Sequence, residues 1–141
     1  MNITEELRKI VGGRLSVSPS ELYCYSSDAS QVKGMPDYVV RPESTDEVSR
    51  ILRLAYENEI PVTARGGAGT GLAGGAVPVS GGGIVLDMSG MNRILEIDID
   101  NIQVVVEPGM IQDALNDALK PYGFFFPPNP GSSAMCTIGG A

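Results

Sequence analysis

"ARGGAGTGLAGGAVPVSGGG", residues 64–83, holds half of the chain's 18 glycines. Within it, Gly69-Thr70-Gly71-Leu72-Ala73-Gly74 is a literal G-x-G-x-x-G. Such a string suits a dinucleotide fingerprint, another kind of phosphate loop, or a linker. A Rossmann unit sets it between a strand and a helix, with an acidic residue about 20 positions on. A strand, "PVTA" (61–64), precedes it, and Asp87 closes the next apolar strand 18 residues after Gly69 (87 − 69 = 18). The helix is what fails. Pro78 and the run Gly81–Gly83 occupy its place, and in a helix interior Pro costs about 3 kcal/mol and each Gly about 1. A P-loop fails sooner, because no Lys-Ser or Lys-Thr follows the glycines. A linker is Gly/Ser-rich and joins separate units. This stretch carries Leu72, Val77 and Val79, and Arg65 follows directly on the strand.

What remains is an anion-binding loop without a helix. Consecutive glycines turn successive N–H groups inward as a nest for phosphate oxygens, and without Cβ atoms the backbone can touch the ligand. Thr70 offers a hydroxyl donor. Arg65 either supplies positive charge or pairs with a neighbouring carboxylate as plain structure.

Working outward, the sequence alternates helix and strand. Residues 2–11 predict a helix, with Asn2 as cap and Leu7, Ile10 and Val11 as its apolar stripe before Gly12-Gly13. Ser18, Pro19 and Glu21 start a short helix over 19–24. "DYVVRP" is a strand ended by Pro42. The strongest helix follows, with a Ser44/Glu47 capping box and Val48, Ile51, Leu52 and Ala55 at i, i+3, i+4, i+7. With the strand 61–64 this makes a βαβ unit, 37–64, with parallel strands expected.

Beyond the loop, "IVLDM" (84–88) is a continuous apolar strand. Leu95, Ile97 and Ile99 alternate with Glu96, Asp98 and Asp100, a strand with one wet face. Asp100-Asn101 turns the chain into "IQVVVE" (102–107). A helix over 110–120 puts Ile111, Ala114, Leu115, Ala118 and Leu119 on one face, closed by Pro121 and Gly123. Phe124–Phe126 are expected in the core. Ile138-Gly139-Gly140-Ala141 has no closing element and suggests a chain cut inside a domain.

The 141 residues suit one domain or a piece of one. A net charge of −7 argues against nucleic acid and anionic lipid as partners. The chain has no histidine, which removes His-based acid–base catalysis, His metal ligation and a histidyl-linked cofactor within this chain. Cys24 and Cys136 give neither a disulfide framework nor zinc spacing, and two half-buried thiols in a reducing cytoplasm are expected. Asp98, Asp100 and Asp113 are expected as solvated carboxylates, with no metal site. "MNITEELRKI" lacks the apolar core of a signal peptide.

Several separated motifs then converge. "PVTARGGAGTGLAGGAVP", "GGGIVLDMSGMNRILEID", "VVVEPGM" and "FFPPNPGSSAMCTIGG" occur in this order over roughly residues 20–141. Together they resemble the FAD-binding domain of the FAD-linked oxidases, the vanillyl-alcohol-oxidase / p-cresol-methylhydroxylase superfamily. Within it they are most like the branch of the glycolate oxidase FAD-linked subunit and D-lactate dehydrogenase. The resemblance implies an α+β fold. A helical segment (1–35) leads into a βαβ lobe with the glycine loop (36–80) and then the start of a mainly β lobe (81–141).

By the same resemblance the FAD pyrophosphate meets Arg65, Gly66, Gly67, Ala68, Gly69, Thr70 and Gly71, flanked by Leu72, Gly74 and Gly75. A second segment along the flavin and its phosphates comprises Pro128, Asn129, Pro130, Gly131, Ser132, Thr137, Gly139 and Gly140. The chain departs from the family pattern by one extra residue between Arg65 and Thr70, and by Asn129 where an acidic residue is usual. The family continues past the Ile-Gly-Gly segment into a substrate domain.

The expected protein is the FAD-binding portion of an oxidoreductase that moves a hydride from a small 2-hydroxy acid to non-covalent FAD. This chain contributes no catalytic residue of its own. An electron-acceptor protein or quinone and the missing C-terminal portion are the implied partners. The expected place is the cytoplasm, with membrane association only through partner subunits. A self-contained flavin- or nucleotide-binding module and an NAD-dependent Rossmann enzyme remain the alternatives.

Overall fold

The computed structural model describes residues 2–141. Helix α1 (Ile3–Val11) starts where the Asn2 side chain accepts from the Thr4 N–H at 3.1 Å, and stops at Gly12. Strand β1 (Leu15–Ser16) and helix α2 (Pro19–Cys24, capped by Ser18) follow. Helix α3 (Thr45–Glu57) is capped by Ser44, whose hydroxyl accepts from the Glu47 N–H at 3.2 Å. The reciprocal half of that capping box is diverted. The Glu47 carboxylate instead accepts from the Glu43 N–H at 2.8 Å and from both terminal nitrogens of Arg14 at 2.7 and 2.6 Å. This fork holds the turn between α1 and β1 to the start of α3. Its first consequence is that Arg14 keeps the Glu47 carboxyl below its ordinary value.

Four strands form the main sheet, in the order β1-β2-β4-β3. Strands β2 (Tyr38–Val40) and β3 (Val62–Arg65) are parallel, as the βαβ pattern predicts, yet they do not touch. Strand β4 (Ile84–Asp87) lies between them and pairs in parallel with both. All four β4 residues are buried, which is what a continuous apolar run requires when both faces are covered. The expected lobe boundary at 80/81 therefore needs correction. It would separate β3 from its hydrogen-bonded neighbour, and the first lobe runs on to Asp87.

The first core joins Leu7 and Val11 of α1, Ile51, Leu54 and Ala55 of α3, and Val40, Ile84 and Leu86 of the sheet. The α3 stripe is rotated from the expected one. Leu54 faces this core, whereas Leu52 is 45% exposed.

The second lobe is a hairpin, β5 (Ile94–Asp98) and β6 (Gln103–Val106), packed on helix α4 (Gln112–Leu119). A bulge corrects the simple alternation: Ile94 pairs with Val106 but Glu96 with Val105, so Leu95 is the extra residue. Ile94 and Ile97 then share the core with Val104, Val106, Leu115 and Leu119, and Leu95 is turned outward. On α4 the buried face is Gln112, Leu115 and Leu119, while Ile111 and Ala114 are exposed, again contrary to expectation. Phe124 and Phe126 pack into this core; Phe125 does not.

Candidate functional site

The glycine loop leaves the carboxyl end of β3, next to that of β4, where open parallel sheets place their ligands. No helix forms between β3 and β4. A cavity of about 750 Å³ opens over the loop. Its glycine-loop wall is Arg65–Leu72 with Gly75, and its opposite wall is Met135, Cys136, Thr137, Gly139 and Gly140 from the second lobe. Val48 and Leu52 of α3 and Val62 and Ala64 of β3 add an apolar side, which is where the unexpected face of α3 points.

Two of these contacts show why the loop must be glycine. A Cβ on Gly66 would run into the Thr137 hydroxyl, and one on Gly69 into the Arg65 guanidinium. Gly69 also has φ +66°, which disfavours any larger residue. The Thr137 Oγ1 is buried and has no hydrogen-bond partner among the described residues, and Thr137 itself is only 6% exposed. Buried hydroxyls are normally satisfied, so an orphan on a cavity wall invites a ligand atom. The tail that carries it is fixed by α4. Ile111 provides no side-chain cap, and the Gln112 and Asp113 N–H groups donate to the carbonyls of Cys136 (3.0 Å) and Ser133 (3.3 Å).

The structure does not bring every expected residue to this cavity. Gly74 is buried beside it, against Val32 and Ser30. Pro128, Asn129, Pro130, Gly131 and Ser132 lie off its lining, on the flank of α4. There Gln112 Nε2 donates to the Pro128 carbonyl, and the Phe126 N–H donates to Asn116 Oδ1 at 2.7 Å.

Of the two roles the sequence left open for Arg65, pairing with a carboxylate is not the one it takes. Among the described residues it forms no ion pair, and it is 6% exposed. Its Nε donates to the Gly67 carbonyl at 3.0 Å and its Nη1 to the carbonyls of Ser27 at 2.9 Å and Tyr25 at 3.4 Å. The guanidinium also stacks 5.2 Å from the Tyr25 ring centroid. Arg65 thus braces the loop from beneath while lending it positive charge.

The sequence offered no signal for what it braces against. Residues 25–37 run alongside the loop in the same direction. Ala29 N–H donates to the Gly69 carbonyl at 3.1 Å, Asp28 faces Gly71, Ser30 and Val32 face Gly74, and Gly82 N–H donates to the Met35 carbonyl at 2.8 Å. Tyr25 Oη donates to Asp87 Oδ2 at 2.7 Å, and Asp87 Oδ1 accepts from the Ser89 N–H at 2.9 Å. Burial, then the bond to Asp87, push the Tyr25 phenol up to about 12. Asp87, which sits at the distance of a Rossmann ribose ligand, is therefore committed to the floor of the loop. Burial pushes the Asp28 carboxyl up, but the hydroxyl and amide of Ser30 and the charge of Arg65 outweigh it and hold it below its ordinary value.

Among the described residues there is no cluster of three potential metal ligands, and no helix is long and apolar enough to cross a membrane. The two thiols differ: Cys24 is exposed and Cys136 buried. A cavity walled by glycine amides, with a stacked arginine below and an orphan hydroxyl opposite, fits the diphosphate of a dinucleotide.

Known proteins agree. Residues 36–141 match the family model described as FAD binding domain. Glycolate oxidase subunit GlcD of Bacillus subtilis (strain 168) is 46% identical over 117 residues, 82% of this chain and 24% of that protein. The D-lactate dehydrogenase of Archaeoglobus fulgidus is 41% identical over 99% of this chain and 31% of its own length. The D-2-hydroxyglutarate dehydrogenase of Escherichia coli (strain K12) is 41% identical over 99% of this chain and 14% of its own. The chain thus spans a third or less of these relatives. Among solved structures, alkyldihydroxyacetonephosphate synthase superposes with a TM-score of 0.84 at 24% identity, over 99% of this chain and 31% of that one, a likeness of fold. p-Cresol methylhydroxylase with substrate bound gives 0.74 at 25% identity, over 84% of this chain and 24% of that one. Fold, loop and relatives lead to one conclusion: the chain belongs to the FAD-binding domain family, with FAD as its cofactor.

Proposed function

We propose that this chain is the cofactor-holding part of an FAD-dependent oxidoreductase that acts on a small 2-hydroxy acid of the glycolate or D-lactate type. The orphaned Thr137 hydroxyl facing Gly66 across the cavity carries the cofactor assignment. The names of the relatives carry the substrate class. Bound FAD supplies a two-electron acceptor for the hydride of the substrate α-carbon. The protein's share of that work is to hold and to tune. The amides of Gly66–Gly71 and the hydroxyls of Thr70 and Thr137 take the pyrophosphate, and Arg65 offsets its charge from below. Gly139 and Gly140, on the cavity wall, extend the contacts along the flavin. With no histidine, this chain offers FAD no histidyl link, and we take the cofactor to be held non-covalently.

Titration of the chain with FAD, followed by quenching of flavin fluorescence, tests this. Saturable but weak binding is expected, because the chain supplies one part of a larger site. Thermal protection by NAD and none by FAD would sink the assignment. Tight stoichiometric retention of yellow colour after desalting would favour a self-contained flavin module instead.

A further inference from the structure

We infer that the strip 25–37 is a working part of the cofactor site, and that Asp28 is its positioning residue, setting the far half of the glycine loop for the diphosphate. This rests on the FAD assignment above and goes beyond it. The matched family model begins at residue 36, so most of the strip lies outside it.

The near half of the loop has a strong brace, because Arg65 ties Gly67 to Ser27 and Tyr25. The far half, residues 70–76, has no such cation and is exposed at Gly71, Leu72 and Ala73. What stands behind it is Asp28. Its Oδ1 accepts from the Ser30 N–H at 2.8 Å and from the Ser30 hydroxyl. Its Oδ2 is buried and faces Gly71, and the N–H of Ala76, in the same half of the loop, bears on the carboxylate and helps to hold it charged. Ser30, which grips Asp28, also lies against Gly74 together with Val32.

A buried carboxylate is costly unless it is hydrogen-bonded. It is tolerable here because the Ser30 hydroxyl and amide, then the charge of Arg65 and the Ala76 N–H, favour the charged form over the cost of burial. The carboxylate attracts loop N–H groups such as that of Ala76 on its own side and repels phosphate oxygens. Phosphate is thereby confined to the opposite face of the loop, where the Thr137 hydroxyl waits. Asp28 acts through the loop and does not touch the cofactor.

The test compares wild type with Asp28→Asn and Ser30→Ala in the full chain. Asp28→Asn keeps the shape and removes the charge; Ser30→Ala removes one bond that orients Asp28. FAD, ADP and adenosine serve as probes, with the melting temperature of the cofactor-free chain recorded alongside. Asp28→Asn is expected to weaken FAD and ADP roughly tenfold, the size of one lost charge-assisted contact. Adenosine, which has no phosphate, should bind as before. Ser30→Ala should give a smaller loss with the same preference for phosphate-bearing probes. Unchanged FAD and ADP affinity in both variants would overturn the inference. So would an equal loss for adenosine, which marks general damage to the fold. If Asp28→Asn fails to fold, Ser30→Ala decides by the same comparison. Failure of wild type to bind FAD or ADP at all would strike the FAD assignment itself, a distinct outcome.

Discussion

The two lobes bury their apolar residues to different depths. In the first, Leu7, Val40, Ile51 and Ile84 are at most 1% exposed, and helices and sheet close over them. In the second, Leu115 reaches that level, but Met110 and Leu119 are 9% and 6% exposed, and the hairpin turns Leu95, Val105 and Ile102 outward at 58%, 47% and 74%. The difference follows from coverage. Strand β4 has a parallel strand on each side, whereas β5 and β6 pair only with each other. An isolated hairpin needs a packed partner to be stable, and α4 provides it on one face alone. The cavity lies between the closed lobe and the open one, with its glycine wall on the former and Thr137 on the latter.

That contrast can be broken by mutation. Ile51→Ala should destabilise the chain by about 3 kcal/mol through a cavity in the closed core, and Leu95→Ala by about 0.5 kcal/mol or less. Urea unfolding of the two variants measures both, and similar losses would erase the distinction between the lobes. Across the cavity, Gly66→Ala should cost at least about tenfold in FAD affinity, since its Cβ meets Thr137. Gly75→Ala has nothing within 4 Å to strike and should change affinity by less than about twofold. Equal losses at the two glycines would mean that close approach to the second lobe is not what the loop requires.

A subtler probe is Thr137→Val. Removing an unsatisfied buried hydroxyl should leave the melting temperature unchanged or slightly raised, while FAD affinity falls by about fivefold. A loss of stability with no loss of binding would count against a ligand role. The smallest effect concerns pH. Arg14 first, then the Glu43 amide, outweigh burial and depress the folded-state pKa of Glu47. Its contribution to stability is therefore full above the unfolded carboxylate value and disappears as pH falls through the depressed one. Denaturant melts at neutral and acid pH should show less acid sensitivity in Glu47→Gln than in wild type.

Much of this was legible beforehand. Caps and breakers act locally, so Asn2, Ser18 and Ser44 open their helices where the residue types say they should. Pro78 and Gly81–Gly83 exclude a helix after β3, and none forms. Faces were less legible. Leu52 and Leu54 are equally apolar, and which one is buried depends on where α1 and the sheet press on α3. Likewise the alternation at Leu95, Ile97 and Ile99 is blind to a bulge, because a bulge is decided by the register of the partner strand. The role of Arg65 was undecidable for a similar reason, since its partners are backbone carbonyls, which every residue carries.

The sequence by itself determined the capped starts of α1, α2 and α3, the helix-free glycine loop and, through several separated motifs, the family. Those features depend on residue type over a few neighbours. Tertiary structure alone decided that β4 enters between β2 and β3, that Thr137 closes over Gly66, and that the unremarkable strip 25–37 underlies the loop. Each of these joins segments tens of residues apart through backbone groups and small side chains. Such contacts are chosen by the packing of the whole chain and leave no local pattern to read.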